Sequence, residues 1–294
     1  MPLFSNKYSK KLYKQYQHAC IFLLMKRERK HYRTVIQLLE IAPEVVRIIG
    51  LKRLPHYTTV QKFFRRLSTL LLERILCQTA KLFELSGIVA IDSTGFSSNC
   101  ASRYFMMIKY RMKKGVWKDA YMKNSIVVDV EKQVIMANKP RKDKGHDTLD
   151  FMPLLKRVSM VAAIKTVIAD KGYDSEANHK FVRRSLKAGT VIPVRRRPGR
   201  VNGRFRKEMA SDFDAETYKK RQAVETVFFV MKRMFGDTVY SRSTMQQKKE
   251  LKVVCITYNL YRYAKSGYCF IISGGFLQPC LNITLYILIT KRYI

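Results

Sequence analysis

Residues 218–235 read YKKRQAVETVFFVMKRMF. The stretch has no Gly and no Pro, and at about 100° per residue Val224, Val227, Phe228, Met231, Met234 and Phe235 fall on one arc of a helix. That arc faces a core. Arg221, Glu225 and Lys232 stand 3, 7 and 14 positions after Tyr218, so the same rotation gathers all four within roughly 60°. A phenol, two cations and a carboxylate line one stripe beside the apolar face. A solvated face with an ordinary Glu–Arg pair at helical spacing has the same pattern, so the stripe has to be read with the rest of the chain.

Two further carboxylates supply the context. GIVAIDST (Gly87 to Thr94) is a short β-branched run that reads as a buried strand with Asp92 at its carboxyl end, and KTVIAD (Lys165 to Asp170) is a second that ends in Asp170. Between them the pattern predicts strands at Tyr104 to Tyr110, Ser125 to Val130 and Val134 to Asn138, a short antiparallel meander. A helix follows over Thr148 to Met160, capped by Asp147 or Thr148. Beyond Asp170, Ser175 opens a helix to about Leu186 and Thr190 to Val194 is a strand. Residues 195–217, RRRPGRVNGRFRKEMASDFDAET, read as a mobile basic loop. Thr244 to Lys265 forms a last amphipathic helix.

An acid after an apolar strand is often only a turn residue. Two such acids and a Glu on a core-facing helix form a set, because the ends of adjacent strands in a mixed α/β sheet lie close together. Converging like charges are unstable unless a cation sits between them. A hard divalent ion such as Mg²⁺ suits all-oxygen ligands, and a pair of such ions supports in-line displacement at phosphorus. That chemistry requires neither His nor Cys.

The chain has 57 Lys and Arg against 22 Asp and Glu, a formal charge of +35 in 294 residues. A field of that size points to a polyanionic partner, with nucleic acid first. An anionic membrane surface fits less well, since the basic residues are spread along the chain. The six cysteines show no zinc spacing and read as thiols in a reducing cytosol. Residues 1–80 are helical and basic, with Pro43 to Ile49 ending at Gly50 and a longer helix from Thr58 or Thr59 to Leu76. They fit a helix-turn-helix-like DNA-binding module, or a plain helical cap. Tyr268 to Ile289 is apolar but broken by Gly274, Gly275, Gln278, Pro279 and Asn282, a poor membrane span.

AIDSTGF (Ala90 to Phe96), GHDTLDF (Gly145 to Phe151), IADKGYDS (Ile168 to Ser175) and the Tyr-x2-Arg-x3-Glu-x6-Lys spacing of Tyr218, Arg221, Glu225 and Lys232 together resemble the DDE transposases of prokaryotic insertion sequences. The match covers roughly residues 85–265, with weaker similarity in LPHYTTVQKFFRRL (Leu54 to Leu67). The resemblance implies an α/β fold, a ribonuclease H-like mixed sheet flanked by helices, behind a small basic helical N-terminal domain. It implies that Asp92, Asp170 and Glu225 are catalytic and hold two Mg²⁺ or Mn²⁺ ions, and that Tyr218, Arg221 and Lys232 contact the DNA backbone. His146 and Asp147 take a supporting role, or serve as a helix cap with a satisfied His. Lys171, Tyr173 and Asp174 assist, or only shape the turn; Asp143 and Asp150 read as surface acids.

The partners implied are double-stranded DNA, as terminal inverted repeats and target, and a second copy of the chain in the synaptic complex. The implied setting is cytoplasmic and nucleoid-associated, with no membrane. Glu225 follows Asp170 by 55 positions, too few for the large β-rich insertion of some relatives, whose aromatic residue holds a flipped base during hairpin formation. The one tryptophan, Trp117, precedes Asp170. A same-fold nuclease without strand transfer and a catalytically idle DNA-binding derivative are the competing readings. Residues 266–294 lack the charge pattern of the rest and have no functional reading.

Overall fold

The computed structural model describes residue 4 and residues 10–98, 121–142, 145–195 and 201–266. The strand expected at Tyr104 to Tyr110, Asp143, Trp117 and residues 267–294 lie outside these. By its internal contacts the chain divides into two compact units, Met1–Ile75 with Ile256–Ile294, and Leu76–Cys255.

The second unit is built on a six-stranded mixed sheet: β1 (Ile88–Ser98), β2 (Tyr121–Asp129), β3 (Val134–Arg141), β4 (Thr166–Ala169), β5 (Gly189–Val191) and β6 (Thr238–Val239). The spatial order is β3-β2-β1-β4-β5, with β6 beside the far end of β1. β1, β2 and β3 form an antiparallel meander, whereas β4 runs parallel to both β1 and β5. The fold is therefore α/β, with a mixed sheet flanked by helices, as the ribonuclease H-like expectation requires.

β1 does not end at Asp92. It runs on to Ser98 because β2 accompanies it throughout, pairing Asp92 with Ile126 and Ser97 with Tyr121. What stops near Asp92 is the parallel ladder, whose last pair is Ile91 with Ala169. Side chains alternate across a strand, and the two faces of β1 are correspondingly different. Val89 and Ile91 join a core with Val127, Phe151, Leu154, Leu155, Val158, Val167, Ala169 and Tyr173, under the helix α6 (Thr148–Ser159). Pro153 inside α6 has no amide hydrogen for the Leu149 carbonyl, and that carbonyl accepts from Lys139 Nζ at 3.4 Å instead.

Residues 218–235 belong to two helices, not one. Asp214 caps α9 (Ala215–Lys219), accepting the Thr217 amide at 2.8 Å. Lys220 and Arg221 then turn into α10 (Gln222–Phe235). Three-residue hydrogen bonds from the amides of Arg221, Ala223 and Val224 tighten the chain there. α10 packs on β1 and β2, burying Val224, Val227, Phe228, Met231 and Phe235, each worth roughly 1.5–3 kcal/mol. It stops at Gly236, whose φ of +87° suits glycine.

Residues 195–217 also depart from expectation. Where a mobile loop was expected, the described part contains α8 (Arg204–Ser211) and α9. Glu176, in the first turn of α7 (Glu176–Lys180), accepts the amides of Phe205 and Arg206 at 3.2 and 3.1 Å. Arg206 in turn grips buried Asp174 through Nε (2.9 Å) and Nη2 (2.8 Å). Acids some thirty positions upstream thus tie this segment down.

In the first unit α1 (Gln15–Arg27), α2 (Tyr32–Glu40), α3 (Pro43–Ile49) and α4 (Tyr57–Arg66) pack around Ile21, Val35, Leu39, Ile49, Val60 and Phe63, with Phe22 and Phe64 stacked at 4.0 Å. Gly50 closes α3 with φ +71°. The cap residue of α4 is His56 rather than Thr58 or Thr59, and the helix breaks at Leu67 before α5 (Thr69–Ala80). The last helix, α11 (Thr244–Lys265), has the expected limits. Among the described residues no helix is long and apolar enough to cross a membrane.

His18 of α1 lies between the rings of Tyr13 (5.2 Å) and Phe63 (5.0 Å), 7% exposed, with Nδ1 unpartnered among the described residues. Burial, aided by the Arg66 charge, lowers its pKa from 6.5 to about 4. The folded form thus holds His18 neutral while the unfolded chain takes up a proton. Stability is therefore full above about pH 6.5 and is lost as the pH falls towards 4. Melting temperatures recorded from pH 7 to pH 4 should fall less steeply for His18→Phe than for the intact protein. Equal slopes would show that another group governs the acid side.

Candidate active site

Alternation along β1 carries Ala90, Asp92, Thr94 and Phe96 to the face that α10 covers. The contacts confirm it: Arg221 Nη1 donates to Asp92 Oδ2 at 3.0 Å, and Lys232 Nζ donates to Thr94 Oγ1 at 2.8 Å and lies 5.5 Å from the centre of the Phe96 ring. On β4 the same alternation turns Val167 and Ala169 to the α6 core and leaves Asp170, just past the strand, for the α10 face. Asp92 and Asp170 each stand one residue beyond the paired Ile91 and Ala169, side by side. The sheet register alone makes them neighbours.

Glu225, in the first turn of α10, completes the set, where the positive end of the helix favours a carboxylate. Arg221 bridges, its Nη2 donating to Glu225 Oε1 at 2.5 Å while Nη1 holds Asp92. The turn at Lys220 and Arg221 re-aims Tyr218, whose hydroxyl donates to Asp170 Oδ1 at 3.5 Å and whose ring lies 5.9 Å from the Arg221 guanidinium carbon. Burial raises the pKa of Asp92, the Ser93 amide and Arg221 oppose that, and Asp170 and Asp147 push it up again. Burial likewise raises Tyr218, so its hydroxyl stays protonated at neutral pH.

Every donor in the set is a carboxylate oxygen, the ligand type a hard divalent cation prefers. The chemistry of the set fits such an ion. With the Arg221 guanidinium bridging Asp92 and Glu225, no three His, Cys, Asp or Glu side chains among the described residues are grouped to ligate one as they stand. An open cavity of about 600 Å³ adjoins Asp170, lined by Lys171, Gly172, Val194 and Arg195. Two of those residues are cations beside a carboxylate site.

Residues 84–260 match the model of a family described as the transposase DDE domain. That is more than half of the chain. The protein belongs to the DDE-domain transposases. Comparison with the curated proteins finds no match. A cryo-EM structure of the piggyBac transposase synaptic complex with hairpin DNA aligns at 11% identity and a TM-score of 0.45, over 95% of this chain and 71% of that one.

In this transposase chain the structure brings Asp92, Asp170, Glu225, Tyr218 and Arg221 together, with Lys232 further along the same face. Asp147 joins from the start of α6, where Ser93 Oγ donates to its Oδ1 at 2.9 Å and Lys123 forms an ion pair with it. It makes no side-chain cap. Among the described residues His146 contributes its backbone, the carbonyl accepting from Arg141 at 3.3 Å, and its side chain is exposed. Lys123, which pairs with Asp147, was missed in the sequence; its place on β2 opposite Gly95 depends on strand register.

Asp150 is no surface acid. It is fully buried, accepts from Ser125 Oγ at 2.7 Å and makes ion pairs with Lys139 (3.0 Å) and Arg141 (3.1 Å). It joins α6 to β2 and β3 directly behind Asp147. Removing one partner of a buried pair strands the other charges. Asp150→Ala should cost about 3 kcal/mol in denaturant unfolding, whereas a loss below about 0.5 kcal/mol, the range of an ordinary surface change, would place the acid outside the folding core.

Proposed function

We propose that this chain cuts DNA at the terminal inverted repeats of a mobile element and joins the freed 3′ ends to a target. The observation that carries this reading is the convergence of Asp92, Asp170 and Glu225 on one face of the sheet. Those three would hold the two divalent ions, Mg²⁺ or Mn²⁺, which when bound would make a water or 3′-hydroxyl nucleophilic at neutral pH and stabilise the leaving oxygen. In the first step water attacks phosphorus and the bond to the 3′ oxygen breaks, leaving a 3′-hydroxyl and a 5′-phosphate. In the second that 3′-hydroxyl attacks a target phosphodiester, one phosphorus–oxygen bond forming as another breaks. The bonds balance, and no nucleotide cofactor is needed.

The chain's own residues supply position and charge. Arg221, at the turn before α10, and Lys232, on α10, stand at either side of Glu225, where guanidinium and ammonium groups would take the phosphates flanking the cut. Tyr218 steadies Asp170 from above. Lys171 and Arg195, lining the cavity at Asp170, extend the cationic track. The +35 charge provides the sequence-independent part of the affinity. The basic helices of residues 1–75 would read the repeats, and a second copy of the chain would bring the two ends together.

Cleavage of a labelled duplex carrying the element's own end tests the reading. With Mg²⁺ or Mn²⁺ the intact protein should leave nicks ending in 3′-hydroxyls, and Glu225→Gln should lose at least about a hundredfold in rate while keeping salt-sensitive binding. Joined products separate a transposase from a nuclease of the same fold. Equal binding with no metal-dependent cutting by the intact protein would leave a DNA-binding protein and end the proposal.

A further inference from the structure

The face that should attract a divalent cation already holds a cation of the chain's own. The Arg221 guanidinium reaches Asp92 through one nitrogen at 3.0 Å and Glu225 through another at 2.5 Å, and it also feels the charge of Asp170. It thus addresses all three acids proposed as ligands. A dication at the same carboxylate oxygens would sit against this group, and the repulsion between them grows with the product of their charges. Arg221 and the metal compete for the same carboxylates.

Arg221 also has somewhere to go. It stands at the turn before α10, not inside the helix, and its side chain is 22% exposed at the rim of the site. A planar guanidinium fork matches a phosphate at least as well as a carboxylate. A DNA phosphate arriving at this rim would draw the fork away and uncover Asp92 and Glu225.

Resting on the proposed metal-dependent reaction, we infer that Arg221 is an exchangeable counter-ion: it fills the carboxylate site in the free protein, passes to a DNA phosphate on binding, and so couples metal loading to DNA. The coupling is reciprocal by linkage, DNA tightening the metal and the metal tightening DNA. The free protein then carries little metal, and the site is armed only where a strand is present to be cut.

Mn²⁺ binding by the full-length protein, followed by electron paramagnetic resonance of the free ion, tests this without reference to activity. Without DNA, Arg221→Gln should bind Mn²⁺ about tenfold more tightly than the intact protein, the scale of two partly exposed ion pairs lost. Lys220→Gln removes an adjacent charge that touches neither acid, and should change the affinity less than twofold. A duplex should tighten Mn²⁺ for the intact protein and leave Arg221→Gln nearly unchanged. If the intact protein and Arg221→Gln bind Mn²⁺ alike without DNA, or Lys220→Gln matches Arg221→Gln, the exchange is refuted while the metal reading stands. If Mn²⁺ bound to Arg221→Gln survives the further change Glu225→Gln, or if no form binds Mn²⁺ with or without DNA, the site assignment itself falls and the exchange with it.

Discussion

The second unit depends on one register: Ile91 opposite Ala169 across a parallel ladder. That pairing puts Asp92 and Asp170 next to each other on one face, and like charges at that distance require compensation. The chain supplies it from the turn before α10 through Arg221, and so the charge pair dictates where α10 must begin. The break between α9 and α10 follows from this. An unbroken helix through Lys220 would keep Tyr218 on the Arg221 stripe, whereas the turn sends its hydroxyl to Asp170 and leaves the guanidinium for Asp92 and Glu225.

β1 serves two purposes because its faces differ by one residue in phase. Val89 and Ile91 anchor the strand in the core under α6; Asp92, Thr94 and Phe96 present chemistry and a ring to α10. Ser93 returns to the first face and holds Asp147. The rigid core thus fixes Asp92 and Asp170 without any loop between them, and a positional error at Asp92 would need the whole ladder to slip.

Much of this was legible in the sequence, and for a physical reason. The apolar runs ending at Asp92 and Asp170, and the 3.6-residue pattern from Val224 to Phe235, are local signals, and each gave its element. What was not legible lies in contacts between distant residues. Nothing near Arg206 in sequence says that it meets Asp174, so an apolar-poor segment looked like a free loop although two distant acids tie its helix α8 down. Asp150 looked exposed because helical periodicity does not reveal that Lys139 and Arg141 would arrive from β3. The extension of β1 past Asp92 was hidden likewise, since Gly95 and the two serines interrupt the apolar run and the segment is held by β2.

The buried acids also explain how a chain of this charge keeps a fold. With +35 distributed over the molecule, a carboxylate anywhere inside sits in a favourable potential, and an interior cation does not. The interior accordingly spends its few acids as anchors. Asp129 collects the Ser86 and Gly87 amides and the Ser86 hydroxyl, Asp150 takes Lys139 and Arg141, and Asp174 takes Arg206 and the Arg195 amide. Asp92, Asp170 and Glu225 differ from these in sharing one cation, for the Arg221 guanidinium pairs with Asp92 and Glu225 and feels the charge of Asp170. Three carboxylates that share a single positive charge keep an excess of negative charge, and such a site favours a further cation.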